Sequence, residues 1–199
     1  MNWIQTLQKS VGVVADGVPG RVTWAAVFAK MGAGPDRAAE LGMAAAVRFA
    51  AYGLLDNPLR LAHFLAQLGH ESGGLRYMAE IWGPTPAQLR YEGRADLGNV
   101  MPGDGRRYAG RGPIQITGRA NYRATGQRLG IDLERHPELA EVPSIGLWVA
   151  LDYWQSRGLS AAADRDDLLA VTRSINGGTN GLEDRRAWLA RVRGWCYSG

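Results

Sequence analysis

Apolar residues recur at helical spacing along most of the chain, and the clearest case is the stretch "LRLAHFLAQLGHE". At about 100° per residue, Leu61, Phe64, Leu65 and Leu68 share roughly a third of the circumference. This predicts a core helix over 58–71, with Glu71 at the edge of the apolar stripe and His63 and His70 on the opposite side. The same pattern predicts helices over 37–52, 85–91, 119–129, 144–157, 166–176 and 183–195, the last carrying Trp188, Leu189, Val192 and Trp195. Upstream, residues 3–31 form a compact pair: a short helix with Trp3, Ile4, Leu7 and Val11 on one face, a turn at Asp16-Gly17, and a helix from about Thr23. Gly32, Gly34 and Pro35 then break the pattern. The interval from Trp82 to Gly118 loses the periodicity and is rich in Gly, Pro and Arg, and only "GPIQIT" reads as a piece of strand. The expected fold class is therefore mainly α-helical, with at most a very small β element and a long polar middle of the kind that carries function.

Composition narrows this picture. The chain has 199 residues and 46% hydrophobic content, enough to fill one sizeable core. The net charge of +4 is almost entirely arginine, since Lys9 and Lys30 are the only lysines. That balance favours an anionic partner, but the arginines are scattered with no block of five, which argues against nucleic acid. Cys196 has no partner for an internal disulfide and reads as a half-buried reduced thiol. The start "MNWIQTLQKSVGVVADG" lacks the basic and apolar regions of a signal peptide, and no run approaches the ~20 apolar residues that span a bilayer. The expectation is a protein made in the cytoplasm that needs another route to any target outside the membrane. Metal chemistry is not expected: His63 and His70 are seven apart rather than four, and Asp164, Asp166 and Asp167 lack the glycine and glutamate of a calcium loop. They read instead as a helix N-terminus. No cofactor is expected either.

Candidate chemistry centres on two carboxylates. Glu71 closes a core helix, where burial and the negative end of the helix dipole disfavour the ionised form, as a general acid requires. The Gly73-Gly74 pair lets the chain turn, so that Glu80 returns from a loop. A carboxylate in an apolar wall and another in a wetter loop suit glycoside hydrolysis. Spacing alone leaves a blander alternative ahead, in which Glu71 pairs with an arginine such as Arg76 and Glu80 is solvated. In "YAGRGPIQITGRANY", Gln115 and Thr117 are two apart and would share one side of a strand, with Asn121 nearby. Such groups suit sugar hydroxyls or N-acetyl groups, or form a polar strand edge. "INGGTNG" is a turn with Gly177 as helix C-cap, whose Asn176 either stabilises the turn or projects from it.

The segments "AHFLAQLGHESGG", "YEGRADLGN", "YAGRGPIQITGRANY" and "SINGGTNGLEDR" occur in the order and spacing of the family 19 glycoside hydrolases, the chitinase-like enzymes of the lysozyme superfamily. With "AEIWGPTPAQLRYEGRADLGN" and no disulfide cysteines, the chain is similar to the bacteriophage and prophage endolysins of that family, over about residues 40–195. The resemblance implies a catalytic domain over 36–199 with a substrate cleft. It also implies that Glu71 is the general acid, Glu80 the general base, and Thr117 a residue holding the attacking water. Gln115, Asn121 and Asn176 match substrate-contacting positions, Trp82 and Tyr108 are added as sugar contacts, and Arg185, with His70, supports the carboxylates. Family members invert the anomeric carbon, which implies carboxylates about 6.5 to 9.5 Å apart. The implied substrate is the glycan strand of peptidoglycan, with chitin as the alternative and a non-catalytic wall-binding protein as a reading of another class. A monomer that reaches the cell wall through a holin-type membrane lesion is the implied biology. Finally, "LQKSVGVVADGVPGRVTWAAV" resembles the start of small peptidoglycan-binding modules, which makes residues 1–34 either a truncated module of that kind or helices that pad the main domain.

Overall fold

Several helices begin where the chain supplies a side-chain cap or a proline. Asn2 and Gln5 form a reciprocal capping box, Asn57 accepts from the Leu59 N–H just before Pro58, Thr85 and Gln88 form a second box, and Asp167 accepts from Ala170. The computed structural model describes residues 2–197. Its helices are α1 (Trp3–Ser10), α2 (Arg21–Met31), α3 (Pro35–Arg48), α4 (Pro58–Glu71), α5 (Pro86–Leu89), α6 (Asp104–Arg107), α7 (Arg119–Leu129), α8 (Pro143–Ser156), α9 (Leu159–Asp164), α10 (Leu168–Asn176) and α11 (Leu182–Cys196). The bounds of α4 and α7 are those the sequence predicts. Among the described residues, β structure is limited to the antiparallel bridges Ala79 to Arg111 and Arg111 to Ile116, so "GPIQIT" is not a strand. No described helix is long and apolar enough to cross a membrane.

Two compact units emerge, one built from the chain up to Arg76 together with Trp154 onward, the other from Tyr77–Tyr153. The boundary expected near residue 34 is not a unit boundary. Residues 3–31 belong to the first unit, where α1 packs on α11 and α2 on α3. A chain of edge-to-face aromatics fixes them there: Trp24 lies 4.9 Å from Phe49, Phe49 lies 5.8 Å from Phe64, and Phe64 lies 5.4 Å from Trp154. Residues 3–31 are thus packed into the first unit.

At the centre of this unit α4 is buried from Leu61 through Gly69 on every side. The helical wheel placed His63 opposite the core, but His63 is 0% exposed and its Nε2 lies 2.9 Å from Asp166 Oδ1. The wheel assumes one buried face, whereas α4 has α9, α10 and α11 around it. Burial pushes the His63 imidazole below its ordinary value, against the pull of Asp166. Cys196 is fully rather than half buried, and burial pushes its thiol up to about 12. The acidic cluster divides: Asp164 binds Arg60, Asp166 binds Arg193 and His63, and only Asp167 caps a helix.

The second unit has its own core of Tyr108, Ile116, Tyr122, Leu129, Leu133, Ala140 and Val149. An ionic lattice braces the irregular chain around it. Arg119 donates from Nε to Asp104 at 2.9 Å and from Nη1 to Glu134 at 3.1 Å, while Arg123 grips Glu134 at 2.6 and 2.7 Å. Arg123 first, then Arg119, hold the Glu134 carboxyl down to about 2 from an ordinary 4.5.

Two outcomes follow from this packing. A carboxyl whose folded value is depressed contributes stability above its unfolded value, and that contribution is lost as pH falls through the folded one. Acid titration followed by circular dichroism should show stability falling from about pH 4.5 toward about pH 2, and Glu134→Gln should flatten that part of the curve. Separately, a Cβ at Gly69 would lie 2.5 Å from the Trp188 ring, so Gly69→Ala should lower stability by about 1–3 kcal/mol in urea denaturation.

Candidate active site

In the first unit, Glu71 is the last residue of α4, and its side chain is 24% exposed. Its Oε1 accepts from Nη2 of Arg185, which stands in the first turn of α11 and is itself only 1% exposed. Arg185 Nη1 donates to Oε1 of the fully buried Gln67, one helical turn before Glu71. His70 Nδ1 lies 2.6 Å from Asp184 Oδ2, so consecutive residues of α4 are tied to consecutive residues of α11. The bland alternative named Arg76 as the partner of Glu71. Arg76 instead donates to Gly73 O at 2.8 Å, and the guanidinium at Glu71 comes from Arg185. A buried cation thus stands where the apolar stripe predicted only a hydrophobic wall. Past the carboxylate, Ser72 accepts from Leu75 N–H at 2.8 Å and closes the turn.

Asn176, also in this unit, is exposed and closes its own turn. Its Nδ2 donates to Asn180 O at 2.7 Å and its Oδ1 accepts from Gly178 N–H at 2.8 Å, with Gly177 as C-cap. The turn-stabilising alternative describes it, and one amide hydrogen remains free of that turn.

The second unit holds the remaining candidates. Glu80 is half-buried and pairs reciprocally with Gly110: its N–H donates to Gly110 O at 2.9 Å, and its Oε1 accepts from Gly110 N–H. Its Oε2 accepts from Gln88 Nε2 at 3.0 Å. A Cβ at Gly110 would lie 2.6 Å from Gln115 Oε1 and 3.3 Å from Glu80 Oε1, so the glycine is what lets these two side chains converge. The structure therefore brings Glu80 and Gln115 together. Thr117 is half-buried, and its carbonyl accepts from Nδ2 of the exposed Asn121 at 2.7 Å. Trp82 is half-buried, with its ring 6.4 Å from that of Tyr91. Burial, then the Glu80 charge, push the Tyr91 phenol above its ordinary value.

Tyr108, named above as a sugar contact, is a core residue of this unit. It is 1% exposed, packs 5.5 Å from Tyr122, and donates its hydroxyl to Glu134 O at 3.0 Å. The sequence does not show that this glycine-rich loop folds back over its own core and buries the tyrosine that opens it. Gln67, Gln88 and Gly110 were missed. The "TPAQ" capping-box pattern was the available signal for Gln88, since it places that glutamine at a helix start with its side chain turned back on the preceding loop.

With this geometry in place, comparison with known proteins is direct. The glycoside hydrolase family 19 model, described as chitinase class I, matches residues 39–163. A glycosyl hydrolase family 19 domain-containing protein of Haemophilus influenzae is 35% identical over 156 residues, 65% of this chain and 76% of that protein. An endochitinase of Arabidopsis thaliana is 37% identical over 137 residues, 68% of this chain and 46% of that protein, so the chain spans less than half of the plant relative's length. Among solved structures, a chitinase C variant matches with a TM-score of 0.64 at 25% identity, over 79% of this chain and 82% of that one. A bacterial family 19 chitinase matches with 0.60 at 30% identity, over 79% and 84%. The mainly helical, lysozyme-like fold expected from the sequence is the fold of these structures.

Removing a partner from a buried ion pair strands the other charge. Arg185→Ala should therefore cost about 3 kcal/mol in urea denaturation. Arg76→Ala, on an exposed side chain, should stay within about 0.5 kcal/mol. Equal effects of the two would contradict the assignment of Arg185 as the structural partner of Glu71.

Proposed function

The chain belongs to glycoside hydrolase family 19, and from that premise we propose that it hydrolyses β-1,4 glycosidic bonds of peptidoglycan with inversion, acting as an endolysin. The observation that carries this reading is that the two carboxylates matching the family's acid and base are both part-exposed and each fixed by hydrogen bonds, Glu71 by the Arg185 guanidinium and Glu80 by Gly110 N–H and the Gln88 amide. In the proposed step, protonated Glu71 gives its proton to the glycosidic oxygen as the bond from that oxygen to the anomeric carbon breaks. Ionised Glu80 takes a proton from a water whose oxygen forms the new bond on the opposite face. Thr117 and Gln115 hold that water and the sugar's N-acetyl group. Arg185 meets the negative charge left on Glu71 once its proton has gone.

The net charge of +4 supports an anionic glycan, because muramic acid peptides and wall polymers carry negative charge. The similarity of its motifs to endolysins supports a role in cell lysis, with access to the wall through a holin-type lesion. A chitinase reading has its own support, since the similar plant protein is named an endochitinase and the similar structures are chitinases. The two separate in one experiment: release of reducing ends from purified sacculi compared with colloidal chitin. The endolysin reading expects sacculi to be cleaved faster, and the reverse order makes the enzyme a chitinase.

The catalytic assignment itself predicts that Glu71→Gln and Glu80→Ala each lower turnover by about 10²–10⁴ while binding to the glycan is retained. Undiminished lysis of permeabilised cells by Glu71→Gln would overturn the role given to Glu71, whereas a parent chain that binds sacculi without releasing reducing ends would favour a non-catalytic wall-binding protein.

A further inference from the structure

The single-turn helix α5 inverts the usual order of burial. Its leucine, Leu89, is 60% exposed, while its glutamine, Gln88, is 6% exposed and is the one buried residue of the element. A helix this short does not bury a polar side chain in place of an adjacent leucine for the sake of core packing. The hydrogen bonds of Gln88 show what the burial accomplishes. Its Nε2 donates to Glu80 Oε2 at 3.0 Å and to Ile81 O at 2.9 Å. Its Oε1 accepts from Thr85 N–H at 2.8 Å and from Gly83 N–H at 3.2 Å.

That is the full capacity of a primary amide, two donated hydrogens and two occupied lone pairs. Two N–H groups face the oxygen and two acceptors face the nitrogen, so a flipped amide would set like against like at all four contacts. The side chain is thereby locked, and with it the segment from Glu80 to Thr85, which carries Trp82. The Glu80 carboxylate is in turn clamped at both oxygens, Oε1 by Gly110 N–H and Oε2 by Gln88, which fixes the plane of the group. An uncharged donor does this without neutralising the carboxylate, as a lysine or arginine would.

We propose that Gln88 is a positioning residue for Glu80: it holds the carboxylate in the one orientation in which its remaining lone pairs face the attacking water. The proposal rests on the reading of Glu80 as general base, and the test keeps the two apart. Turnover and KM are measured on whichever of sacculi or a β-1,4 N-acetylglucosamine hexamer is cleaved, for Glu80→Ala, Gln88→Leu, Gln88→Glu and Thr85→Val.

Gln88→Leu should lower kcat by about tenfold to a hundredfold with KM within about twofold, because a carboxylate free to rotate misplaces the water. Thr85→Val deletes the hydroxyl that caps α5, 3.2 Å from the Gln88 N–H, yet leaves the amide on Glu80, so kcat should stay within about threefold. Gln88→Glu preserves shape and sets a second carboxyl against Glu80. Two such groups share a proton as acid is added, which restores a donor between them. Its activity relative to the parent enzyme should therefore rise steadily from pH 8 to pH 5.

Equal losses in Thr85→Val and Gln88→Leu would reduce Gln88 to a helix cap and overturn the proposal. Should Gln88→Leu fail to fold, the Gln88→Glu pH series decides alone, and a ratio independent of pH overturns it. Full activity in Glu80→Ala would remove the base assignment itself. Loss in Glu80→Ala with no loss in Gln88→Leu would sink only the positioning role.

Discussion

The Arg185 guanidinium, buried between Gln67 and Glu71, is the interaction on which the placement of the Glu71 carboxylate depends. Withdrawing a cation from water costs several kcal/mol unless its partners are fixed and well aligned. Here they are fixed because Gln67 and Glu71 stand one turn apart on α4, and because His70 and Asp184 make a second tie beside the first. Gly69 adds the close approach of the Trp188 ring from α11. Polar pairing, ring contact and the missing side chain all serve one outcome, a single placement for the last turn of α4 and its carboxylate.

The second carboxylate is held by different physics. Glu80 lies in a segment with almost no regular structure, so no helix fixes it. Gly110 and Gln88 supply the donors, and the arginine lattice around Asp104 and Glu134 keeps the surrounding loops in one arrangement. A Cβ at Gly110 would lie 2.6 Å from Gln115 Oε1, so a side chain there would displace that amide from its place beside Glu80. The two glutamates thus differ in what holds them, a cation on Glu71 and neutral donors on Glu80.

Much of the helical frame was legible in the sequence, because periodicity, caps and prolines are local signals. The limits of α4 follow from Asn57-Pro58 at one end and Ser72-Gly73-Gly74 at the other. What escaped was whatever depends on contacts distant in the chain. A wheel cannot reveal that α4 is enclosed on all sides, so His63 was turned outward. The burial of Tyr108 and the inclusion of residues 3–31 in the first unit rest on packing between segments far apart in sequence. Glu71 and Glu80 were found as residues, but spacing alone gave neither its partner. Arg185 entered through family resemblance, and Gln88 stayed hidden because a glutamine beside a leucine reads as the exposed member of the pair.

The central claim is that two separately anchored carboxylates drive a single displacement by water. Proton nuclear magnetic resonance of the anomeric signals in the first minutes of hydrolysis tests it most directly, on sacculus glycan or N-acetylglucosamine oligomer, whichever is cleaved. The account predicts that the new reducing end appears first as the α-anomer and only later equilibrates. Initial appearance of the β-anomer would mean retention of configuration and would contradict the roles given to Glu71 and Glu80.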